Sequence, residues 1–503
     1  MPFSSTSNAW QRLETTFTSP LSTPGATLSL TPTCSGPRGT MVEFNATSLM
    51  PSDHFLGMRR DVVAALAGLN FSGPLRYPGG CFAPFYRWKD GLLPRETRPV
   101  VQTPAGYCDA VPGGVNSYTD GMMENGISTD EYLQLCAAIG ATPAITIALQ
   151  YGTPAEIQDA VDWLEYTNGN ASTQWGGLRV QRAREQGLTV APASVPIWYL
   201  GNEISSQARW PNYPEEPNNK EGPPSAASYA DMLRALVPAF LAVDPSVHLS
   251  AVEGGEGWNG QWAAAVGPHI SFTSFHGGYA SAPLATPSDF TAAAKIADAA
   301  FLPALSQLRQ SLTQQGVGHV GISADEWGLG PPWDVGVFNT AHALYGATLL
   351  SLVIGNAAAE GIAFTNYFEP VNEGAIAVGQ FSCALTPLGQ MLPLFSLHAG
   401  GVRVGNATAA PCAGCDVISS ATWHVPRSGR GHLQLTLVNR NAVAAFVQPV
   451  LLLGAIAADA VTLAATGPTL NSTFVSSSAS LPLQGSRVLV PLPPYSIVSV
   501  KVA

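Results

Sequence analysis

The stretch Val195-Pro196-Ile197-Trp198-Tyr199-Leu200-Gly201-Asn202-Glu203 decides the reading of this chain. Its run of Val, Ile, Trp, Tyr and Leu has no polar alternation, the pattern of a parallel strand covered on both faces. Polarity arrives only at the end, as Gly, Asn and Glu. The run reads as a buried strand that delivers a carboxylate at its tip. His319-Val320-Gly321-Ile322-Ser323-Ala324-Asp325-Glu326-Trp327 has the same form, a β-type run closed by acid and aromatic.

Working outward, short apolar runs alternate with helical patterns, as in repeated βα units. Strands are expected around residues 41–45, 74–78, 143–149, 195–200, 247–252, 271–275, 320–325 and 361–367, which is the strand number of a (β/α)8 barrel. Between them, Ser128-Thr129-Asp130-Glu131 forms a capping box, and Pro154 stands at the first position of a helix, where its missing N–H costs nothing. Longer helices are expected over 226–243, 291–314 and 338–356. Beyond Leu394 the pattern changes to alternating strands without helices, expected to form an antiparallel β-sandwich. The expected organisation is a flexible lead-in over 1–23, strand material over 24–40 that joins the sandwich, a catalytic barrel over 41–380 and the sandwich over 381–503. Barrel sites lie at the C-terminal ends of the strands. Reading those ends collects Glu43, Arg76, Asn202 with Glu203, His276, Glu326 and Asn366 on one rim.

A single Glu at a strand end is more often simply solvated than chemical. Two at matched strand tips are what glycoside hydrolysis needs, one carboxyl to protonate the leaving oxygen and one to attack or stabilise an oxocarbenium-like centre. Composition agrees with a neutral, hydroxyl-rich ligand. The 503 residues are 46% hydrophobic and only 11% charged, with a net charge of −11, which argues against nucleic acid and anionic membrane as partners. The nearly uncharged stretch 341–359 reads as a buried helix, because His342, Tyr345 and Asn356 interrupt it.

No basic region followed by an apolar one is visible in residues 1–26. Acceptor tripeptides at Asn45, Asn70, Asn170, Asn406 and Asn471 favour secretion weakly. The seven cysteines leave at least one thiol unpaired within the chain. Cys412-Ala413-Gly414-Cys415 lacks a second pair at zinc spacing and reads as a local disulfide or two free thiols.

At these residues the chain resembles the α-L-arabinofuranosidases of glycoside hydrolase family 51. The similar segments are Arg76-Tyr77-Pro78-Gly79-Gly80-Cys81-Phe82, Trp88-Lys89-Asp90-Gly91, Pro94-Arg95 with Arg98-Pro99, Trp163-Leu164-Glu165-Tyr166, Trp175-Gly176, Trp198 to Glu203 and Asp325-Glu326-Trp327. Leu437-Val438-Asn439-Arg440 and Leu492-Pro493-Pro494-Tyr495-Ser496 resemble parts of the family's sandwich. Two positions depart from the pattern. Cys81 replaces an Asn that binds sugar hydroxyls, and His276-Gly277-Gly278-Tyr279 sets the Tyr one residue late.

The resemblance implies a retaining double displacement with Glu326 as nucleophile and Glu203 as acid/base, starting protonated. Substrate contacts are implied for Glu43, Arg76, Cys81, Asn202, His276, Tyr279, Trp327 and Asn366, with Arg76 as charge partner of Glu326. Trp88 and Trp333 are further candidates for stacking on sugar rings. No metal or organic cofactor is expected. The expected partner is a carbohydrate, and a homo-oligomer is possible. Two alternatives stay open: the same clan with another sugar, such as a β-xyloside, a β-glucan or an acidic sugar, and a carbohydrate-binding relative without turnover.

Overall fold

The computed structural model describes residues 49–100, 125–188, 194–206, 222–281, 286–329, 339–372, 374–404, 416–425, 431–451, 457–467, 472–484 and 487–502, with 15–18, 29, 101–102 and 122–123 besides. Glu43, the expected strand over 41–45, Trp333 and the Cys412/Cys415 pair lie outside them. Seven parallel strands form one sheet in chain order: β1 (Pro74–Tyr77), β2 (Thr142–Thr146), β3 (Ile197–Tyr199), β4 (His248–Val252), β5 (Ile270–Ser274), β6 (Gly321–Ala324) and β7 (Ile362–Thr365). Each pairs with the next through parallel ladders. The sheet curls until its edges approach, for the Asn366 side-chain amide just past β7 donates to the Pro74 carbonyl of β1. This is a barrel of the (β/α)8 type.

The unbroken apolar run of β3 is explained by its two neighbours. Ile197 and Tyr199 point inward with Ala144, Phe272 and Phe364. Trp198 and Leu200 point outward into the main core with Phe240, Trp163 and Leu249. Neither face meets water, so neither carries a charge.

Helices fill the crossovers. The capping box at Ser128 opens helix α1 (Thr129–Ile139), and Pro154 opens α2 (Pro154–Asn168) behind a Thr153 cap. The single helix expected over 291–314 is two, α3 (Pro287–Ala299) and α4 (Phe301–Gln314). The break falls at Ala300, whose φ of −113° is distorted from the usual helical value, and Pro303 sits in the first turn of α4, where a missing N–H is tolerated. Helix α5 (Thr340–Glu360) is capped by Asn339, which accepts from the Ala341 and His342 amides, and ends on Gly361 at φ +64°. With the helix over Ala226–Val243 it is long and apolar enough to span a bilayer, yet 67% of its apolar window is buried inside the protein. It is the central core helix.

Beyond helix α6 (Pro387–Ser396) the chain is antiparallel. Six strands order as Val402–Arg403, Val417–His424, His432–Asn439, Ser496–Val502, Ala458–Ala465 and Phe474–Ser480. A second sheet of three joins Phe446–Leu451, Arg487–Leu492 and Leu483–Gln484. Along Arg487–Leu492 exposed and buried residues alternate strictly, so one face packs between the sheets. Val488, Val490 and Leu492 fill that space with Leu435, Val498 and Val500. Val438, Leu463, Phe474, Tyr495 and Ile497 instead join the barrel's own core.

Candidate active site

The tips of β1, β3, β5 and β6 converge on one cluster. After β3 the backbone turns through Gly201 at φ +106° and then Glu203 at φ +45°, a left-handed conformation that is costly for a residue with a Cβ. The turn lifts the Glu203 carboxylate off the strand axis toward β5. There it meets His276, whose Nδ1 lies 2.8 Å from a Glu203 oxygen and 3.4 Å from a Glu326 oxygen. One oxygen from each carboxylate and the His276 nitrogen all lie within 4.8 Å of one another.

Glu326 is 4% exposed and held from three sides. Arg76 Nη2 pairs with one oxygen. The Tyr279 hydroxyl donates to the other at 2.8 Å. Arg76 Nη1 also donates to Asn202 Oδ1 at 2.7 Å, which fixes the Asn202 amide and leaves its buried NH2 without a protein partner among the described residues. That group is a donor available to a ligand hydroxyl.

Beneath the pair lies an anchor that sequence reading did not single out. Asp325, buried beside the nucleophile candidate, accepts from Ser274 Oγ at 3.0 Å, Ser323 Oγ at 3.0 Å and the Phe275 amide at 3.1 Å. His276 Nε2 lies 3.4 Å from it. Burial works against the Asp325 charge, but the His276 bond and charge, Arg76 and Ser274 hold its carboxyl below the usual range. Burial likewise disfavours a charged imidazole, yet Glu326, Asp325 and Glu203 outweigh it and raise His276 to about 10. The ring is an imidazolium at neutral pH. Glu203, His276 and Glu326 have the spacing of metal donors, and His276 Nδ1 lies within reach of an oxygen of each carboxyl.

Tyr279 reaches Glu326 despite its one-residue delay. Residues 278–280 pair in parallel with 327–329, setting Gly278 opposite Trp327. A Cβ at Gly278 would lie 2.3 Å from the Trp327 Cβ, so only glycine lets the two backbones come this close. Burial and the Glu326 charge push the Tyr279 phenol far up, so it remains a donor.

The remaining candidates separate. Trp327 is 1% exposed and packs on Tyr367, and Trp88 stacks on Trp163; both belong to the core. Asn366 donates to the Pro74 carbonyl and ties the sheet edges together, while its buried Oδ1 has no protein partner among the described residues. Cys81 stands in the short helix Gly80–Phe85, with its side chain outside the described set. A carboxyl that sequence reading missed, Glu369, follows β7 onto the same rim. Burial and the Glu326 charge, partly offset by Arg76, raise it to about 7. Its signal was available: it stands four residues past the end of the last barrel strand.

Residues 65–243 match the family model described as "Alpha-L-arabinofuranosidase 1 domain". Over 205 residues the chain is 31% identical to alpha-L-arabinofuranosidase C of Emericella nidulans, covering 40% of this chain and 34% of that protein. Over 293 residues it is 26% identical to an intracellular exo-alpha-(1->5)-L-arabinofuranosidase of Bifidobacterium longum, covering 54% and 45%. An α-L-arabinofuranosidase from Thermotoga petrophila, described as GH51, superposes with a TM-score of 0.70 over 91% of this chain and 92% of its own, at 20% identity. Over residues 65–243 the chain is similar to the α-L-arabinofuranosidases, and its fold is that of the Thermotoga structure. The chain matches about a third of the length of the fungal relative, while the structural match runs nearly end to end and carries the fold.

Proposed function

We propose that the chain is a retaining exo-glycosidase that removes terminal α-L-arabinofuranosyl groups from arabinose-containing glycans. The observation that carries the reading is the approach of Glu203 and Glu326, within 4.8 Å at their nearest oxygens with His276 between. Retaining enzymes hold their carboxyls about 5 to 5.5 Å apart, whereas inverting ones need room for an intervening water. The activities of the relatives supply the sugar.

In the first step a Glu326 oxygen, fixed by Arg76 and Tyr279, attacks the anomeric carbon while the glycosidic bond breaks. Glu203 enters this step as the neutral acid, accepting at its other oxygen from His276, and gives its proton to the departing oxygen. The Asn202 amide donates to the hydroxyl beside the reacting carbon. In the second step Glu203, now a carboxylate, takes a proton from water, whose oxygen attacks the anomeric carbon and frees Glu326. His276 stays within hydrogen-bond reach of Glu203 throughout, and Asp325 holds the ring from below.

Hydrolysis of 4-nitrophenyl α-L-arabinofuranoside tests the proposal, with Glu203→Gln and Glu326→Ala alongside. Turnover by the wild type that both variants lose is expected. A folded wild type inactive here but active on a xyloside or glucoside would reassign the sugar and keep the mechanism.

A further inference from the structure

The ladder between β3 and β4 changes character where the chain turns toward Glu203. Its register sets Tyr199 opposite Ser250, and the Leu200 amide adds one more rung by donating to the Ser250 carbonyl at 2.9 Å. In a parallel ladder the next rung would run from the Val252 amide to the Leu200 carbonyl. A side chain takes that place. The Tyr229 hydroxyl donates to the Leu200 carbonyl at 3.0 Å and accepts from the Val252 amide at 3.0 Å, so one phenol oxygen bridges the two strands where they part. Tyr229 comes from the helix over Ala226–Val243 and is fully buried. Its ring stacks on Trp258 with centroids 4.9 Å apart, and the Trp258 indole donates to the Val252 carbonyl at 2.8 Å. Burial pushes the phenol up, so it keeps the proton it donates. The left-handed turn at Gly201 and Glu203 follows directly, and beyond it Ser205 Oγ donates to the Glu253 carbonyl, just past β4, at 3.0 Å. The turn that carries Glu203 is pinned to the exit of β4 at both ends.

We propose that Tyr229 is a positioning residue for the acid/base, setting the reach of the Glu203 carboxyl by holding the ends of β3 and β4 one hydroxyl apart. The inference rests on the glycosidase reading and deepens it, since it assigns what places the proton donor. Without the phenol oxygen the Leu200 carbonyl and the Val252 amide must close on each other or stay unpaired, and either outcome moves the turn that follows. The nucleophile is held separately, by Arg76 and Tyr279, so the disturbance falls on proton donation and not on attack. General acid catalysis needs its donor within hydrogen-bond reach of the departing oxygen. An aglycone that leaves poorly depends on that proton, whereas 4-nitrophenolate, already stable as an anion, depends on it little.

The test compares kcat/KM, which reports the first step, on the phenyl and 4-nitrophenyl glycosides of the sugar the wild type accepts, α-L-arabinofuranose by the proposed function. Wild type, Tyr229→Phe and Glu203→Gln are measured side by side in the whole protein. Tyr229→Phe should lose about tenfold more on the phenyl glycoside than on the 4-nitrophenyl one, a part of what general acid catalysis supplies. Glu203→Gln should lose in the same direction and by more. Equal losses of Tyr229→Phe on both aglycones, or no loss on either, would overturn the positioning role, while the gap in Glu203→Gln leaves the glycosidase reading intact. A folded wild type that hydrolyses no aryl glycoside removes the glycosidase reading, and this inference falls with it. Should Tyr229→Phe fail to fold, Trp258→Phe withdraws the indole bond to Val252 and thins the stack on Tyr229. It should show the same selective loss in milder form, and a loss equal on both aglycones there would overturn the proposal.

Discussion

Glu203, Glu326, Arg76 and Asn202 could be found from residue type and strand position alone, because a polar group at the end of an apolar run has few places to go but the rim. Tyr279 could not, since its reach depends on how a loop folds. Its hydroxyl bond to Glu326 predicts that Tyr279→Phe lowers kcat about tenfold to a hundredfold, the range for losing a hydrogen bond to a charged group. The melting temperature should hold within a few degrees, and a large drop would instead make Tyr279 structural. Asp325 stood inside a quoted motif, yet its service to His276 is visible only across strands, through Ser274 and Ser323. Asp325→Asn should lower the pH at which the His276 ring loses its second proton, because the variant removes an anion that favours the imidazolium. Ring nitrogen chemical shifts followed by NMR through the titration would show it, and an unmoved titration would refute the coupling.

At the scale of elements, strands were more legible than helix limits. Seven of the expected strands stand within about three residues of their places, because burial on both faces writes itself as a continuous apolar run. The division of α3 from α4 was missed: Ala and Leu favour helix on both sides of Ala300, and nothing in their pattern marks a change of axis. The short pairing of residues 278–280 with 327–329 was missed as well, since two adjacent glycines read as a turn. That pairing fixes the cost of a side chain there. Gly278→Ala should destabilise the fold by about 1 to 3 kcal/mol, as overpacked sites do, and lower activity by displacing Tyr279. Urea unfolding and kcat measured together would check it, and a neutral effect on both would show that the two segments can part.

Over the whole molecule, two histidines give stability opposite dependences on pH. His398, just past α6, bonds Thr422 at 2.9 Å and Thr436 at 2.8 Å in the sandwich, and burial, with a smaller push from His424, lowers it to about 4. A depressed histidine contributes stability that is full above its unfolded value near 6.5 and is lost as the pH falls through about 4. His276, raised to about 10, contributes stability that is full below 6.5 and is lost as the pH climbs toward 10. The urea midpoint should therefore decline on both sides, and His398→Asn should flatten the acid side alone. An acid limb unchanged in that variant would move the cause to the carboxylates.

Both histidines sit within a structure whose parts share material. Arg440 pairs with Asp298, Thr291 with Tyr495 and Thr340 with Ser472, all between barrel helices and residues that flank the ends of sandwich strands. Apolar residues of the sandwich lie in the same cluster as α5. Such a seam constrains descent as much as it does folding. A recombination event that brought in a foreign sandwich would have to bring matching outer faces for α3 and α5, so the two parts are expected to have been inherited as a pair, diverging in step along the seam and freely elsewhere.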